Sequence, residues 1–246
     1  MIRFWGSLLT GAPPLLSFIV MRRRLAPGDR PLDSLSLELK RAASRGDLDR
    51  VRALVEAGAD VNATDEHGSG TLLTFHPAVT EYLLAKGADP NRQSNECGDA
   101  VLLGIACYNH LDCVRLLLAA GADAKIVVKY TGENALHCAV VGLGQHATPA
   151  GRHEIVKLLI AHGVDPNQRT TPGVPTGIFW RDVRTRGETP LHRAAAYAGE
   201  DTVKFLLDSG ADKTIRDANG DSPQSWASWH WRPKSLIDLL APGEAT

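Results

Sequence analysis

The stretch that decides the fold is residues 187–212, GETPLHRAAAYAGEDTVKFLLDSGAD. Thr189 is a favourable helix N-cap and Pro190 suits a first helical turn, so a short helix is predicted to begin here. We expect Gly199 to supply a turn of positive φ before a second helix, which ends at Gly210. Apolar residues recur at intervals of three and four in both helices, so each helix has one face for a shared core.

The end of this stretch recurs along the chain. Five segments have the form Gly-Ala-Asp or Gly-Val-Asp, and each follows an apolar run. They begin at Gly58, Gly87, Gly121, Gly163 and Gly210. Their aspartates are expected to serve turn geometry and not acid–base chemistry. Self-similarity at such a period predicts a stack of small helical units, and such stacks mostly bind other proteins.

The chain resembles the ankyrin repeat family. The resemblance rests on Thr189-Pro190-Leu191-His192, on the pair Ala194-Ala195 and on the Gly-Ala-Asp endings, and it extends from about Ser34 to Leu240. It implies an all-α solenoid of stacked helix-turn-helix units with β-hairpin-like loops. We expect residues 1–33 to be a leader and linker, and residues 34–246 to be the repeat domain. Six repeats are expected, namely a polar cap at Leu35–Val61 and repeats that begin at Gly68, Gly98, Gly132, Gly187 and Gly220.

Composition argues against a nucleic-acid partner. Lys and Arg total 27 and Asp and Glu total 28, whereas phosphate binding needs a basic stripe. The four cysteines form no Cys-x-x-Cys pair, which favours small buried thiols in a reducing compartment and hence a cytoplasmic protein. A zinc site from Cys107, Cys113, His110 and His137 is an alternative, although their spacing fits no common zinc pattern. We expect neither a metal nor a cofactor.

The N-terminal segment allows several interpretations. Residues 4–21 carry no charge and are largely apolar, but Pro13-Pro14 interrupts them, and three arginines follow at residues 22–24. The segment is a disordered leader or a wrongly assigned start with Met21 as the true one, a membrane anchor that holds the repeats on the cytoplasmic side, or a cleaved signal.

Three departures from a regular stack are the best candidates for functional features. The second repeat lacks about four residues of its first helix, between Gly68 and His76. The fourth repeat gains about eight residues at Gly142–Gly151, which predicts a surface loop. The largest insertion, Gln168–Arg186, adds about fourteen residues, including an Ile-Phe-Trp run among arginines. This segment either binds a partner or folds back onto the stack.

The chain carries no catalytic motif of the Walker, Gly-x-Ser-x-Gly or His-Glu-x-x-His type. His137 and His192 occupy the position where the family uses a structural histidine that bonds neighbouring backbone. Trp226, Trp229 and Trp231 are expected to close the C-terminal end of the core. These observations predict a protein without enzymatic activity.

The predicted function is a protein-interaction module that binds a protein partner through the concave face formed by hairpins and first helices, together with the 168–186 insertion. We expect a monomer. Glu133 and Thr185 are also expected to line this concave face. The residues expected to contact the partner are Tyr108, Tyr130, Phe179, Trp180, Arg181, Arg186, Glu188 and Tyr197. An alternative is a membrane-tethered scaffold or regulatory subunit anchored through residues 4–20.

Overall fold

The computed structural model describes residues 33–64, 70–94, 99–142, 148–176 and 184–242. The predicted leader, with its possible anchor and the Met21 start, lies outside these residues. The secondary-structure elements of the described parts are α1 (Ser34–Arg45), α2 (Leu48–Glu56), α3 (Pro77–Ala85), β1 (Gln93–Ser94), β2 (Asp99–Ala100), α4 (Val101–Cys107), α5 (Leu111–Ala119), α6 (Ala135–Val141), α7 (Pro149–Ala161), α8 (Pro190–Tyr197), α9 (Glu200–Asp208), α10 (Pro223–Trp229) and α11 (Lys234–Leu239).

The helices form two layers, which confirms the predicted solenoid. In the inner layer α4 packs against α6, α6 against α8 and α8 against α10, and these are the first helices of successive repeats. In the outer layer α3 packs against α5, α5 against α7, and α7 against α9. One continuous cluster of buried apolar residues fills the space between the layers. Each unit therefore buries its apolar face only by stacking on its neighbours.

The helix boundaries follow local backbone chemistry. Thr189 caps α8 with Pro190 in its first turn, as predicted. The five repeated glycines end their helices in the left-handed region, with φ between 78° and 94°. The prediction for Gly199 was wrong, because this residue has φ −72° and caps α9 in an extended conformation. The left-handed turn between helices occurs instead in other repeats, at Gly46, Asn109 and Gly142.

Asparagine side chains join successive repeats. Asn62 donates from Nδ2 to the carbonyl of Gly87 at 2.9 Å, and its Oδ1 accepts the N–H of Asp89 at 2.7 Å. We call this pair of bonds the amide clasp. Asn91 and Asn167 make the same pair of bonds to the repeats that follow them. The clasp fixes the spacing of adjacent units along the stack.

The repeated aspartates have the predicted structural role. Each side chain accepts the backbone N–H two residues further on, at 2.7–2.9 Å, and so closes a local turn. These aspartates are Asp60, Asp89, Asp123, Asp165 and Asp212.

The second repeat is short, as predicted. Residues 70–76 form no helix, so the inner layer has a gap between α1 and α4. The ring of Phe75 lies in contact with Tyr108, at a centroid distance of 4.9 Å, and with His110 at 4.7 Å. Thr74 is fully buried and donates to the carbonyl of Ala43 at 2.8 Å. Side chains from an irregular segment thus take the place of the missing helix.

The insertion in the fourth repeat differs from its prediction at one end. Thr148 caps α7, which begins at Pro149, so Pro149–Gly151 are helical and not part of a surface loop. Pro149 at the first helical position favours this early start. The middle of the insertion, residues 143–147, lies outside the described residues.

None of the helices in the described part of the chain is both long and apolar enough to cross a membrane.

Candidate binding face

The 168–186 insertion begins and ends in an ordered stem, which we define as residues 170–176 and 184–186. The N–H of Gly173 donates to the carbonyl of Thr185 at 2.7 Å, and the N–H of Thr185 donates to Val174 at 2.9 Å. Pro175 and Arg184 form an isolated antiparallel bridge beyond them. The predicted contact residues Phe179, Trp180 and Arg181 lie outside the described residues.

The stem packs on the repeat stack. The N–H of Thr171 donates to Thr131 at 2.8 Å, and the N–H of Thr170 donates to Glu188 at 3.0 Å. Gly132 has φ 70°, and a Cβ atom there would lie 2.9 Å from the carbonyl oxygen of Arg169. The stem is therefore packed on the stack. The choice between partner binding and folding back depends on Phe179 and Trp180, and it stays a prediction because both lie outside the described residues.

Beneath the stem lies a buried group of charges, which we call the ion triad: Glu133, Glu188 and Arg193. Arg193 is fully buried in α8, and its Nη2 lies 2.6 Å from Oε1 of both glutamates. Thr176 donates to Glu133 at 2.8 Å, and Thr170 donates to Glu188 at 2.7 Å. Both threonines belong to the stem, so the insertion completes the hydrogen bonding of the triad.

The environment keeps the triad charged. Burial raises the pKa of Glu188, but Arg193 and the N–H of Arg186 outweigh this effect and hold the pKa at about 2. Burial likewise lowers the pKa of Arg193, and the two glutamates outweigh it, so that its pKa is raised. Glu188, predicted to contact a partner, is instead 2% exposed and paired internally. Glu133 and Thr185 are buried too, so these three residues leave the set of candidate contacts.

His137 and His192 have the predicted structural role. The Nε2 atom of His137 lies 3.2 Å from the carbonyl of Glu188, and that of His192 lies 3.1 Å from the carbonyl of Asp221. In both rings Nδ1 accepts a backbone N–H at 3.2 Å. Burial, with the charge of Arg193, lowers the pKa of His137 to about 3, and burial lowers the pKa of His192. Both rings are therefore neutral links between repeats.

The described residues offer no zinc site. Among them, no group of three His, Cys, Asp or Glu side chains is arranged to hold a metal ion. Cys107, Cys113 and Cys138 are buried thiols. Cys113 accepts a hydrogen bond from Thr80 at 3.6 Å, and burial raises the pKa of its thiol.

The remaining predicted contact residues lie on the hairpins and at the ends of inner helices. Tyr130 is 51% exposed on the hairpin before α6, and Tyr197 is 37% exposed at the end of α8. Arg186 is exposed on the hairpin before α8. Tyr108, at the end of α4, is half-buried against Phe75, and burial raises the pKa of its phenol. The structure brings Arg186 and Tyr197 together at the C-terminal repeats, whereas Tyr108 lies at the gap in the inner layer.

The predicted tryptophan cap is correct only for Trp226. This side chain is 8% exposed and donates from Nε1 to Asp217 at 3.1 Å, whereas Trp229 is 51% and Trp231 94% exposed. The guanidinium carbon of Arg186 lies 5.8 Å from the ring centroid of Trp226 and 5.9 Å from that of Trp229. Sequence reasoning missed this cluster. The sequence could have indicated it, because one short helix cannot bury three tryptophan side chains, so some of them must be exposed.

Comparisons with known proteins agree with this architecture. The family model "Ankyrin repeats (3 copies)" matches residues 72–170 and 145–217, and the model "Ankyrin repeat" matches residues 39–66. The chain belongs to the ankyrin repeat family. Repeats of this family generally mediate protein–protein interaction, and the fold is typically a non-enzymatic interaction module.

This ankyrin repeat protein aligns with most of the length of some relatives and with only a part of others. It is 31% identical over 196 residues to the ankyrin repeat protein YahD of Escherichia coli K12, covering 74% of this chain and 84% of YahD. It is 27% identical to human palmitoyltransferase ZDHHC13 over 79% of this chain, but spans only 34% of that enzyme. A solved ankyrin repeat domain from Acinetobacter baumannii AYE aligns over 82% of this chain and 95% of its own, with 26% identity and a TM-score of 0.62.

Proposed function

We propose that this ankyrin repeat protein is a non-enzymatic, cytoplasmic module that binds a protein partner through the side formed by its hairpins and inner helices. The contact residues in this proposal are Tyr108, Tyr130, Arg186 and Tyr197, with the tip of the 168–186 insertion. Three buried reduced cysteines support a reducing compartment.

The observation that carries the proposal is the exposure pattern of α8. Every residue from Pro190 to Ala196 is buried, whereas the next side chain, Tyr197, is exposed. Tyr130 is exposed on the hairpin before α6, one repeat earlier, and Arg186 is exposed on the hairpin directly before α8. Aromatic and arginine side chains on a rigid framework supply contact area at a low entropic cost.

The test compares tyrosine variants with wild-type protein. Tyr130→Ala and Tyr197→Ala should each reduce capture of a protein partner from cell extract, as measured by quantitative mass spectrometry. The melting temperature of Tyr130→Ala should stay within about 3 °C of wild type, because this side chain is half exposed. Tyr197→Ala should lower it further, because it also removes a ring contact with His230 at a centroid distance of 5.1 Å. Arg115→Gln is the matched control, since Arg115 lies on α5 of the outer layer and its side chain is 54% exposed.

A second variant tests the tip of the insertion. Replacement of Ile178–Asp182 by two glycines keeps both strands of the stem, and with them the threonines that bond to the ion triad. We expect unchanged melting and weaker capture. Undiminished capture by all three variants, with folding intact, contradicts the proposed face.

A further inference from the structure

The last two repeats carry a surface that packing does not explain. We define the tryptophan–arginine surface as Arg184, Arg186, Trp229 and Trp231. We propose that it binds a short linear segment of the partner protein that places a carboxylate beside an apolar side chain. The carboxylate pairs with the arginines, and the apolar side chain packs on the tryptophans. This inference rests on the proposed function and specifies the chemistry of the partner.

The guanidinium of Arg186 is placed so that it can bind an anion. Its guanidinium lies near the rings of Trp226 and Trp229, at 5.8 and 5.9 Å. Both distances lie within the reach of cation–π attraction, which favours this position of the guanidinium. Within the described residues, no side-chain N–H of Arg186 has an acceptor and no carboxylate lies within ion-pair distance. A guanidinium favoured in one position loses less entropy when it pairs with a carboxylate, and its planar group can do so in bidentate geometry.

An open cleft of about 490 Å³ lies between the stem and the next hairpin, and Arg184 and Arg186 line it. Pro172 and Ala218 give it an apolar part. Both arginines are exposed, and Arg184 uses one N–H on the carbonyl of Gly173, at 2.6 Å. A cleft of this size accommodates a few side chains of a linear segment better than the face of a folded domain.

The charges around the cleft favour a negative ligand. Arg169 and Arg216 also border this region, and both donate to backbone carbonyls. The nearby acids are Asp217, which is buried and accepts from Trp226, and Asp221. Burial and Asp217 raise the pKa of Asp221 and outweigh the charges of Arg186 and Arg216, which lower it. Arginines therefore outnumber available carboxylates here, although the whole chain has a net charge of −1.

Trp231 supplies the second, independent observation. It has φ 53°, a left-handed conformation that is costly for a bulky residue, and it is 94% exposed. The corresponding turns of the first, third and fourth repeats use Gly46, Asn109 and Gly142. Neither packing nor backbone geometry accounts for tryptophan at this position, and its exposed ring offers apolar surface to a ligand. Since Trp229 is two residues away, their Cα atoms lie within about 7 Å of each other.

The test selects ligands from a random dodecapeptide library displayed on phage, with the full chain as bait. We expect enriched peptides to share an Asp or Glu within a few residues of a Leu, Phe, Tyr or Trp. Synthetic copies, followed by fluorescence anisotropy, should bind about tenfold more weakly to Arg186→Gln and to Trp229→Ala, because each change removes one half of the recognition. Binding should also weaken in roughly 0.5 M NaCl.

Two further variants separate recognition from stability. Trp231→Asn should weaken peptide binding while the free energy of unfolding stays equal or rises, because asparagine tolerates the left-handed region. A residue needed only for the fold would show the opposite pattern. Arg186→Lys should bind less well than wild type, since lysine keeps the charge but loses stacking and bidentate geometry. Arg115→Gln is the control with unchanged binding.

Four outcomes overturn the inference. These are no enrichment, enrichment of basic or neutral peptides, binding indifferent to Arg186 and Trp229, and a labelled single-stranded RNA that binds more tightly than the peptides. Peptides that depend on Tyr108 or Tyr130 but not on Arg186 would leave the proposed function intact. Loss of partner capture in the tyrosine variants, tested separately, bears on that function alone.

Discussion

Arg193 is a charged residue at a position that another repeat fills with an uncharged one. It follows His192 in α8, just as Cys138 follows His137 in α6. A fully buried guanidinium is tolerable only with carboxylates beside it, and Glu133 and Glu188 lie on the two adjoining hairpins. The charge therefore links two repeats and the stem at one point.

Removal of the positive charge of Arg193 should destabilise the protein strongly. Arg193→Leu leaves two buried carboxylates without their partner and is expected to lower the free energy of unfolding by about 3–5 kcal/mol. The triple variant with Glu133→Gln and Glu188→Gln should recover most of this loss, because amides carry no charge to compensate. Urea unfolding measures both. A loss below about 1 kcal/mol in the single variant would contradict the role of the triad.

The buried histidines make stability depend on pH. The pKa of His137 is about 3 when folded, below the value of about 6.5 expected when unfolded, so the unfolded state takes up the proton first. The contribution of neutral His137 to the free energy of unfolding is complete above about pH 6.5. It is lost as the pH falls towards 3, by up to about 1.4 kcal/mol per pH unit. His192 acts in the same direction. Urea unfolding at several pH values should show a shallower dependence for His137→Gln, and an equal slope would contradict it.

Glu188 should act in a lower pH range. Its pKa is about 2 in the folded protein, so its contribution is present above about pH 4.5 and disappears as the pH falls towards 2. Glu188→Gln should therefore remove this contribution below pH 4.5. It should leave the dependence between about pH 4.5 and 6.5 unchanged, because loss of the Glu188 charge only lowers the pKa of His137 further. A change confined to the higher range would argue against this assignment.

At the scale of elements, two glycines test how closely the stem packs. Gly58 and Gly132 both have positive φ, but a Cβ atom at Gly58 would meet nothing within 4 Å, whereas at Gly132 it would lie 2.9 Å from Arg169 and Thr171 backbone. Gly58→Ala should cost about 1 kcal/mol, from backbone strain alone. Gly132→Ala should cost a further 1–3 kcal/mol or so, from the steric overlap. If both variants lose the same stability in thermal or urea unfolding, the stem can move to accommodate the Cβ atom and does not pack closely on Gly132.

Phe75 tests the gap left by the missing helix. Phe75→Ala removes the ring that packs on Tyr108 and His110 and should lower the free energy of unfolding by about 2–3 kcal/mol, less than for a fully buried ring. Phe75→Leu should cost less, because it keeps most of the volume. Urea unfolding of both variants checks this, and indistinguishable stabilities would show that the ring fills no essential space.

For the whole molecule, the gap predicts where unfolding begins. Repeat stacks open where the contact between neighbours is weakest, and the described residues of the inner layer form no helix between α1 and α4. At the other end α10 packs directly on α8, with Trp226 and His192 at a centroid distance of 5.6 Å. Hydrogen exchange should be at least about tenfold faster in α1 and α2 than in α10. Faster exchange at the C-terminal end would contradict this order.

Local chemistry made much of the stack predictable from the sequence. The Asx turns, the structural histidines and the glycine helix ends each depend on residues a few positions apart. The burial of Glu188 was not predictable, because its cover comes from Thr170 and its counter-charge lies beneath an inserted stem. The exposure of Trp231 escaped prediction for a related reason, since a residue that packs against nothing leaves no periodic signal.

The amide clasp makes the junctions between repeats interchangeable. Asn62, Asn91 and Asn167 join their repeats to the next with the same two bonds. Lys125 and Thr214 stand in that place after the third and fifth repeats. A gene duplication or deletion that spans whole units between clasped junctions would therefore recreate the junction it breaks. Lineages of such chains can change length one unit at a time at the clasped junctions, but not at the two that lack the asparagine.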